Sequence, residues 1–183
     1  MIQKYALTSS KDYGKLARAI KLADTRTRNT IIVLFYTGMH ISVYCDPEKH
    51  KVVWNGELLR WNRPKKEGSK GLVGMPVPIS GFPRLVKESE VRSAITKWLE
   101  TPDWEAEGRK HKWRIGRFQA RLDLERIGKK VGLPNLSPAV FRHTFCFLDL
   151  QATNGNMALV KQHMGCSEKM IYNNYALIDW SKG

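Results

Sequence analysis

Cysteine, acidic residues and long apolar runs are all scarce in this chain. Cys45, Cys146 and Cys166 are odd in number and nowhere spaced as C-x-x-C. That argues against a disulfide framework and against a zinc knuckle, and it makes a reducing compartment the default. The longest apolar run, residues 31–36, is far too short to cross a bilayer. Met1-Ile2-Gln3-Lys4-Tyr5 lacks the apolar stretch of a signal peptide. The expectation is a cytoplasmic or nucleoid-associated, chromosome-bound protein. Acidic residues number 17 against 31 Lys and Arg, a formal charge of +14. The commonest partner for such an excess is a phosphate polymer, because each neutralised phosphate releases condensed counterions. A merely solubilising surface is the bland alternative, and a thermophile's charge-rich exterior would balance the signs.

What is present reads as one folded domain spanning 1–183. A hydrophobic fraction of 42% with 26% charged residues is ordinary for a globular chain, and 183 residues suffice for one core. No internal repeat or low-complexity linker interrupts it. Ser9-Ser10-Lys11-Asp12 predicts a capping box opening a helix, with Tyr13, Leu16, Ala17 and Ile20 on one face. A second helix is expected from Arg26 to Tyr36, stopped by Thr37-Gly38. Val52-Val53-Trp54, Asn55-Gly56 and Leu58-Leu59-Arg60-Trp61 predict a hairpin with a type I′ turn. Residues 72–79 are expected to form a third strand, held to a sheet edge by Pro76 and Pro78. Helical spacing returns at Val91, Ile95, Trp98 and Leu99, and residues 102–108 read as a loop. Ala120, Leu124, Ile127 and Val131 mark another helix, closed by Gly132 and Pro134. Pro138 suits the first turn of a helix running to Gln151. Two short helices, at 157–163 and 167–175, finish the chain. The fold class is α+β: mostly helical, with a small three-stranded antiparallel sheet.

The basic residues gather in two places. Arg60, Arg63, Lys65, Lys66 and Lys70 lie at and beyond the hairpin, broken only by Glu67. Arg109, Lys110, Lys112, Arg114, Arg117 and Arg121 form the second group, with His111 and Trp113 interleaved. On a helix, Arg114, Arg117 and Arg121 share a face that could track phosphates, although a solvated face has the same pattern. The six tryptophans are more often core residues than base-stacking ones.

Four segments, in order, resemble the catalytic domain of the tyrosine recombinases, also called the phage integrase family. Thr37-Gly38-Met39-His40-Ile41-Ser42 is similar to T-G-x-R-x-S-E. Lys65, after Arg63-Pro64, falls where the family has a lysine on a strand turn. Ala139-Val140-Phe141-Arg142-His143-Thr144-Phe145 resembles H-x-L-R-H-T-F. Met164-Gly165-Cys166-Ser167 resembles L-G-H-S, and Tyr175 sits at the nucleophile's place. The spacings, 25 positions from His40 to Lys65 and 33 from Arg142 to Tyr175, carry the resemblance more than any single box.

The resemblance implies a DNA breaking–rejoining fold and a specific chemistry. A tyrosine hydroxyl attacks a phosphodiester and forms a 3′-phosphotyrosyl bond. Two arginines stabilise the charge of the transition state. A lysine protonates the leaving 5′-oxygen, histidines assist, and neither a metal nor a cofactor is needed. By that pattern the catalytic positions are Tyr175, Arg142, Lys65 with Lys66 adjacent, His40 for the first arginine, Cys166 for the later histidine and Ala139 for the H-x-x-R histidine. Val43 occupies the acidic position. His163, three residues before Cys166, has no support as a replacement, and Tyr172 is the weaker alternative nucleophile. The DNA-binding set is Arg60, Arg63, Lys65, Lys66, Lys70, Arg114, Arg117 and Arg121.

With so many positions replaced, the expectation is a double-stranded DNA-binding protein in which strand cleavage is weak or lost. An active, divergent recombinase and a protein-interaction module are the alternatives. Six residues precede Leu7, so no N-terminal core-binding domain is expected. A monomer in solution, with an oligomer on DNA left open, completes the reading.

Overall fold

The computed structural model describes residues 6–63, 71–100, 105–106, 109–110 and 116–175, with side chains for 6–62, 73–100 and 116–172. The first helix, α1 (Ser10–Leu22), opens where the sequence places it, with Ser9 as its N-cap, although Asp12 takes the Ser9 hydroxyl where a full capping box would take the Ser9 amide. The Ser9 hydroxyl accepts from the Asp12 amide at 3.2 Å and donates to the Asp12 carboxylate at 2.7 Å. Leu16, Ala19 and Ile20 are buried. Ala17, expected on that face, is only half-buried, because Ala19 lies nearer the Leu16–Ile20 stripe.

Helix α2 (Thr25–Thr37) is capped by Asp24, whose carboxylate accepts from the Thr27 amide at 2.9 Å. That hydrogen bond holds the Asp24 carboxyl below the usual range. Every residue from Thr30 to Thr37 is buried, which makes α2 the central helix of the core, in contact with α1, α4, α5 and α6. It ends at Gly38, in the left-handed region at φ 55°. The short α3 (Ile41–Cys45) follows at once.

Strands β1 (Val53–Trp54), β2 (Leu58–Arg63) and β3 (Gly71–Pro76) form an antiparallel sheet in that order. The hairpin is where the sequence places it, but its turn is not type I′. A type I′ turn needs positive φ at both central residues, whereas here Gly56 has φ 94° and Glu57 does not have positive φ. The Asn55 side chain explains the difference: its oxygen accepts from the Glu57 and Leu58 amides at 3.0 and 2.7 Å. Asn55 is therefore the residue before the turn, and Gly56 is its first centre, as in a type II′ turn. The edge strand β3 stops at Pro76, short of residue 79, and Val77–Pro78 is a cis peptide.

Helix α4 (Glu88–Glu100) buries Val91, Ala94, Ile95 and Trp98. The Trp98 indole donates to the Tyr44 carbonyl at 3.0 Å and stacks on the Tyr44 ring, with centroids 5.4 Å apart. Inside the segment expected as a loop, β4 (Glu105–Ala106) pairs with β5 (Arg109–Lys110), just beyond that segment, as a small ribbon. The two-residue strands were too short to leave a pattern. Helices α5 (Arg117–Val131), α6 (Pro138–Ala152), α7 (Met157–Met164) and α8 (Glu168–Tyr175) complete the chain. Gly132, at φ 77°, closes α5, and Ser137 caps α6.

Two buried acids tie these helices together. Asp123 on α5 accepts from Arg26 and from Gln119, each at 2.8 Å, joining α5 to the start of α2. Asp149 on α6 meets His163 on α7, with both carboxylate oxygens 3.0 Å from Nδ1. Among the described residues no buried side-chain nitrogen or oxygen lacks a partner. The result is the expected class: mostly helical, with a small three-stranded antiparallel sheet, to which the β4–β5 ribbon is added. No helix among the described residues is long and apolar enough to cross a membrane.

Candidate functional site

Arg142 is placed by the first half of α6, whose buried face carries Phe141, Thr144 and Phe145 into the core. Its guanidinium reaches away from that core to two main-chain carbonyls. Nη1 donates to the Gly38 carbonyl at 2.8 Å, and Nη2 donates to the Met164 carbonyl at 3.0 Å. These carbonyls close the C-terminal turns of α2 and α7, so one side chain fastens three helices. The fork geometry of a guanidinium permits both bonds at once.

His40 is the residue between α2 and α3 and acts as the N-cap of α3. Its Nδ1 lies 3.2 Å from the Ser42 amide nitrogen and 2.8 Å from the Ser42 hydroxyl. His40 and Arg142 line one cleft of about 220 Å³ with Ser42, Val43, Trp61, Met164 and Met170. Trp61, 2% exposed, forms its floor, because the alternation of β2 turns Leu59 and Trp61 inward. A basic, partly apolar cleft of this size can seat a phosphate group. A larger concavity of about 740 Å³, between Tyr36, residues 78–82 and the start of α4, holds none of the candidate residues. Size alone therefore does not mark the site; the convergence of His40 and Arg142 does.

The other candidates divide. Ala139 is exposed on the first turn of α6 and does not line the cleft. Cys166 is 5% exposed, a packed thiol just after α7. His163 is buried against Asp149, so its imidazole serves the packing of α6 on α7 and not the cleft. His143 is half-buried, and burial, reinforced by the neighbouring Arg142 charge, pushes its pKa down and so favours the neutral imidazole. Cys45, at the end of α3, is buried, and its thiol is pushed up to about 11. Val43 is buried where a carboxylate was the expected type, and it offers the cleft only methyl groups.

Lys65, Lys66, Lys70 and Arg114 lie outside the described residues. For Arg63 and Tyr175 only the backbone is described, at the end of β2 and the end of α8. Met170, five residues before Tyr175 on the same helix, lines the cleft, and Ile171 is fully buried. Tyr172 is exposed. Arg60 is exposed on the sheet face opposite Trp61, with its side chain across Gly74. Arg117 and Arg121 are exposed on the first turns of α5, which begins at Arg117, and Arg121 pairs with Glu125 at 3.6 Å. Sequence reading missed Ser42 as a partner of His40 and the two carbonyls that hold Arg142. Main-chain acceptors leave no residue-type signal. Among the described residues no cluster of His, Cys, Asp and Glu could hold a metal ion.

No protein-family model matches the chain, and no curated protein matches it in sequence. Solved structures do match its shape. The XerH site-specific recombinase bound to its difH substrate, a pre-cleavage complex, has a TM-score of 0.63 at 17% identity, covering 94% of this chain and 51% of that one. Its post-cleavage complex on a palindromic difH substrate has a TM-score of 0.64 at 16% identity, covering 94% and 50%. XerA recombinase has a TM-score of 0.65 at 20% identity, covering 96% and 61%. The chain thus spans between half and about three-fifths of the length of these neighbours. At such identities the likeness concerns architecture, and the architecture is that of the tyrosine recombinase catalytic domain.

Proposed function

We propose that this chain binds double-stranded DNA through the His40–Arg142 cleft and the basic surface around it, with strand cleavage weak or lost. The observation that carries the reading is the cleft itself. His40 and Arg142 come from distant parts of the sequence and line one space on a domain of charge +14. Structures of the same architecture bound to a recombination substrate support the choice of partner.

The case against efficient cleavage is chemical. An imidazole at His40 offers one donor where a guanidinium offers a two-pronged fork. The methyl of Ala139 transfers no proton, and the thiol of Cys166 is buried. Removing one donor to a transition state costs about 10²–10³ in rate, and the losses here act in the same direction. One observation favours the alternative of a divergent, active recombinase: α8 carries both the cleft-lining Met170 and Tyr175. In that reading Tyr175 attacks the phosphodiester, Arg142 and His40 hold its oxygens, and Lys65 protonates the leaving oxygen.

A nicked suicide duplex separates the two. The expected result is a mobility shift that is equal for the native chain and Tyr175→Phe, with no denaturant-stable adduct. A covalent adduct abolished by Tyr175→Phe would establish the active enzyme instead. Failure to shift any duplex at low salt would remove both readings and leave a protein partner for the same surface.

A further inference from the structure

Helix α1 packs Leu16, Ala19 and Ile20 against α2 and α5. Its opposite face carries Lys11, Gly14, Arg18 and Lys21, all exposed, and the half-buried Lys15. These positions recur every three or four residues and so share one side of the helix. A solvated helix face ordinarily mixes the two signs, because like charges at such spacings repel. Here the nearest acids are spent elsewhere. Asp12 takes the Ser9 hydroxyl at 2.7 Å, and Asp24 caps α2. Among the described residues no acid pairs with Lys11, Arg18 or Lys21. Lys15 Nζ donates to the Gly132 carbonyl at 3.0 Å, which joins this face to the end of α5. The last turn of α5 adds Lys129 and Lys130, both exposed.

Gly14 is a second, independent observation. It lies in the middle of this face and inside a helix, where glycine is less stable than alanine. A Cβ placed there meets no heavy atom within 4 Å, so no packing inside the chain requires its bareness. A bare helix surface bordered by Lys11, Lys15 and Arg18 admits an anionic chain close to the helix backbone. None of these residues lines the His40–Arg142 cleft. Helix α1 packs on α2 and α5, which in turn pack on α6, and the basic face is turned away from both.

We propose that this face is a second DNA site: it seats the phosphate backbone of another duplex, closest at Gly14, so that one chain bridges two duplexes. The bridging rests on the reading of the cleft as the first site. From Lys11 to Lys21 the face is about 15 Å long. Phosphates of one strand follow at about 3.4 Å along the duplex axis, so the face spans several of them.

The test uses the whole chain loaded at low salt on a bead-bound duplex, washed, and offered a second, fluorescent duplex. The native chain is expected to capture it. The triple variant Lys11→Gln, Arg18→Gln, Lys21→Gln keeps good helix formers and is expected to load on the beads but capture at least about tenfold less. A matched triple, Lys49→Gln, Arg84→Gln, Lys87→Gln, removes the same charge from exposed positions elsewhere and is expected to capture as the native chain does. Gly14→Leu, which fills the bare surface with a good helix former, is expected to raise the thermal midpoint and still lower capture. Such a pair of effects is not a folding defect. A native chain that loads but captures nothing overturns the second site and leaves the first intact. Equal capture by the native chain and the α1 triple, or equal loss in the two triples, overturns the assignment to this face. Unchanged capture by Gly14→Leu overturns the close approach at Gly14. Capture of phosphatidylserine vesicles in place of duplex, through the same three residues, makes the partner a membrane surface and overturns DNA. A chain that does not load at all removes both sites.

Discussion

Gly38→Ala is expected to lower stability by about 3 kcal/mol or more, because two independent costs fall on one methyl group. Gly38 has φ 55°, where an L-residue pays for the clash of its Cβ with the main chain. A Cβ there would also lie 2.3 Å from Phe145 Cγ and 2.7 Å from Phe145 Cβ. Phe145 is fully buried and packs edge-on against Phe82, with centroids 5.2 Å apart, so the ring has nowhere to go. The loss corresponds to a Tm lower by about 6–12 °C in a domain of this size. Gly14→Ala is the matched control. It sits within α1 with no heavy atom within 4 Å of the added Cβ, and is expected to gain about 0.5–1 kcal/mol. Equal effects from the two substitutions, read by thermal denaturation, would refute the packing described around Gly38. Because the Gly38 carbonyl holds Arg142, the unfavourable substitution also loosens the cleft.

Asp149→Ala is expected to cost about 3 kcal/mol or more, since it strands a buried imidazole. Asp149 is fully buried and His163 is 5% exposed, and the carboxylate brackets Nδ1 with both oxygens at 3.0 Å. An ionised carboxylate is an acceptor only, so Nδ1 carries the proton and depends on Asp149 for a partner. Asp149→Asn keeps one acceptor oxygen and is expected to lose roughly half as much. Urea denaturation of both variants measures the order. If alanine and asparagine cost the same, the carboxamide is not replacing the carboxylate and the pairing is wrong. The pair sits beside the C-terminal turn of α7, whose Met164 carbonyl takes the second hydrogen bond from Arg142. A fault there therefore reaches the cleft as well as the core.

These residues show what the sequence could and could not reveal. Local signals were legible where one residue type has one use. Ser9 with Asp12 marked a helix start, and Gly38 and Gly132 marked helix ends that need the left-handed region. The Asn-Gly pair marked the hairpin, yet the turn type was lost because Asn55 spends its side chain on two amides instead of entering the turn. The ordered boxes located His40 and Arg142 without showing that they share a cleft. Contacts between distant segments were illegible for a different reason. Asp149 meets His163 across a helix connection, and Arg142 is held by carbonyls that every residue possesses. His163, beside Cys166 in sequence, is turned to Asp149 by the packing of α7 on α6, which periodicity alone does not reveal.

The central claim is that the excess of positive charge and the Arg142 cleft serve a DNA backbone. Its most direct measurement is the affinity for a short duplex, by fluorescence anisotropy, from about 50 to about 200 mM salt. The account predicts a linear fall of log affinity with log salt, about 10³-fold over that range if six or more phosphates are neutralised. Arg142→Ala is expected to weaken binding at every salt concentration. A duplex that fails to bind at the lowest salt, or an affinity indifferent to salt, would contradict the account.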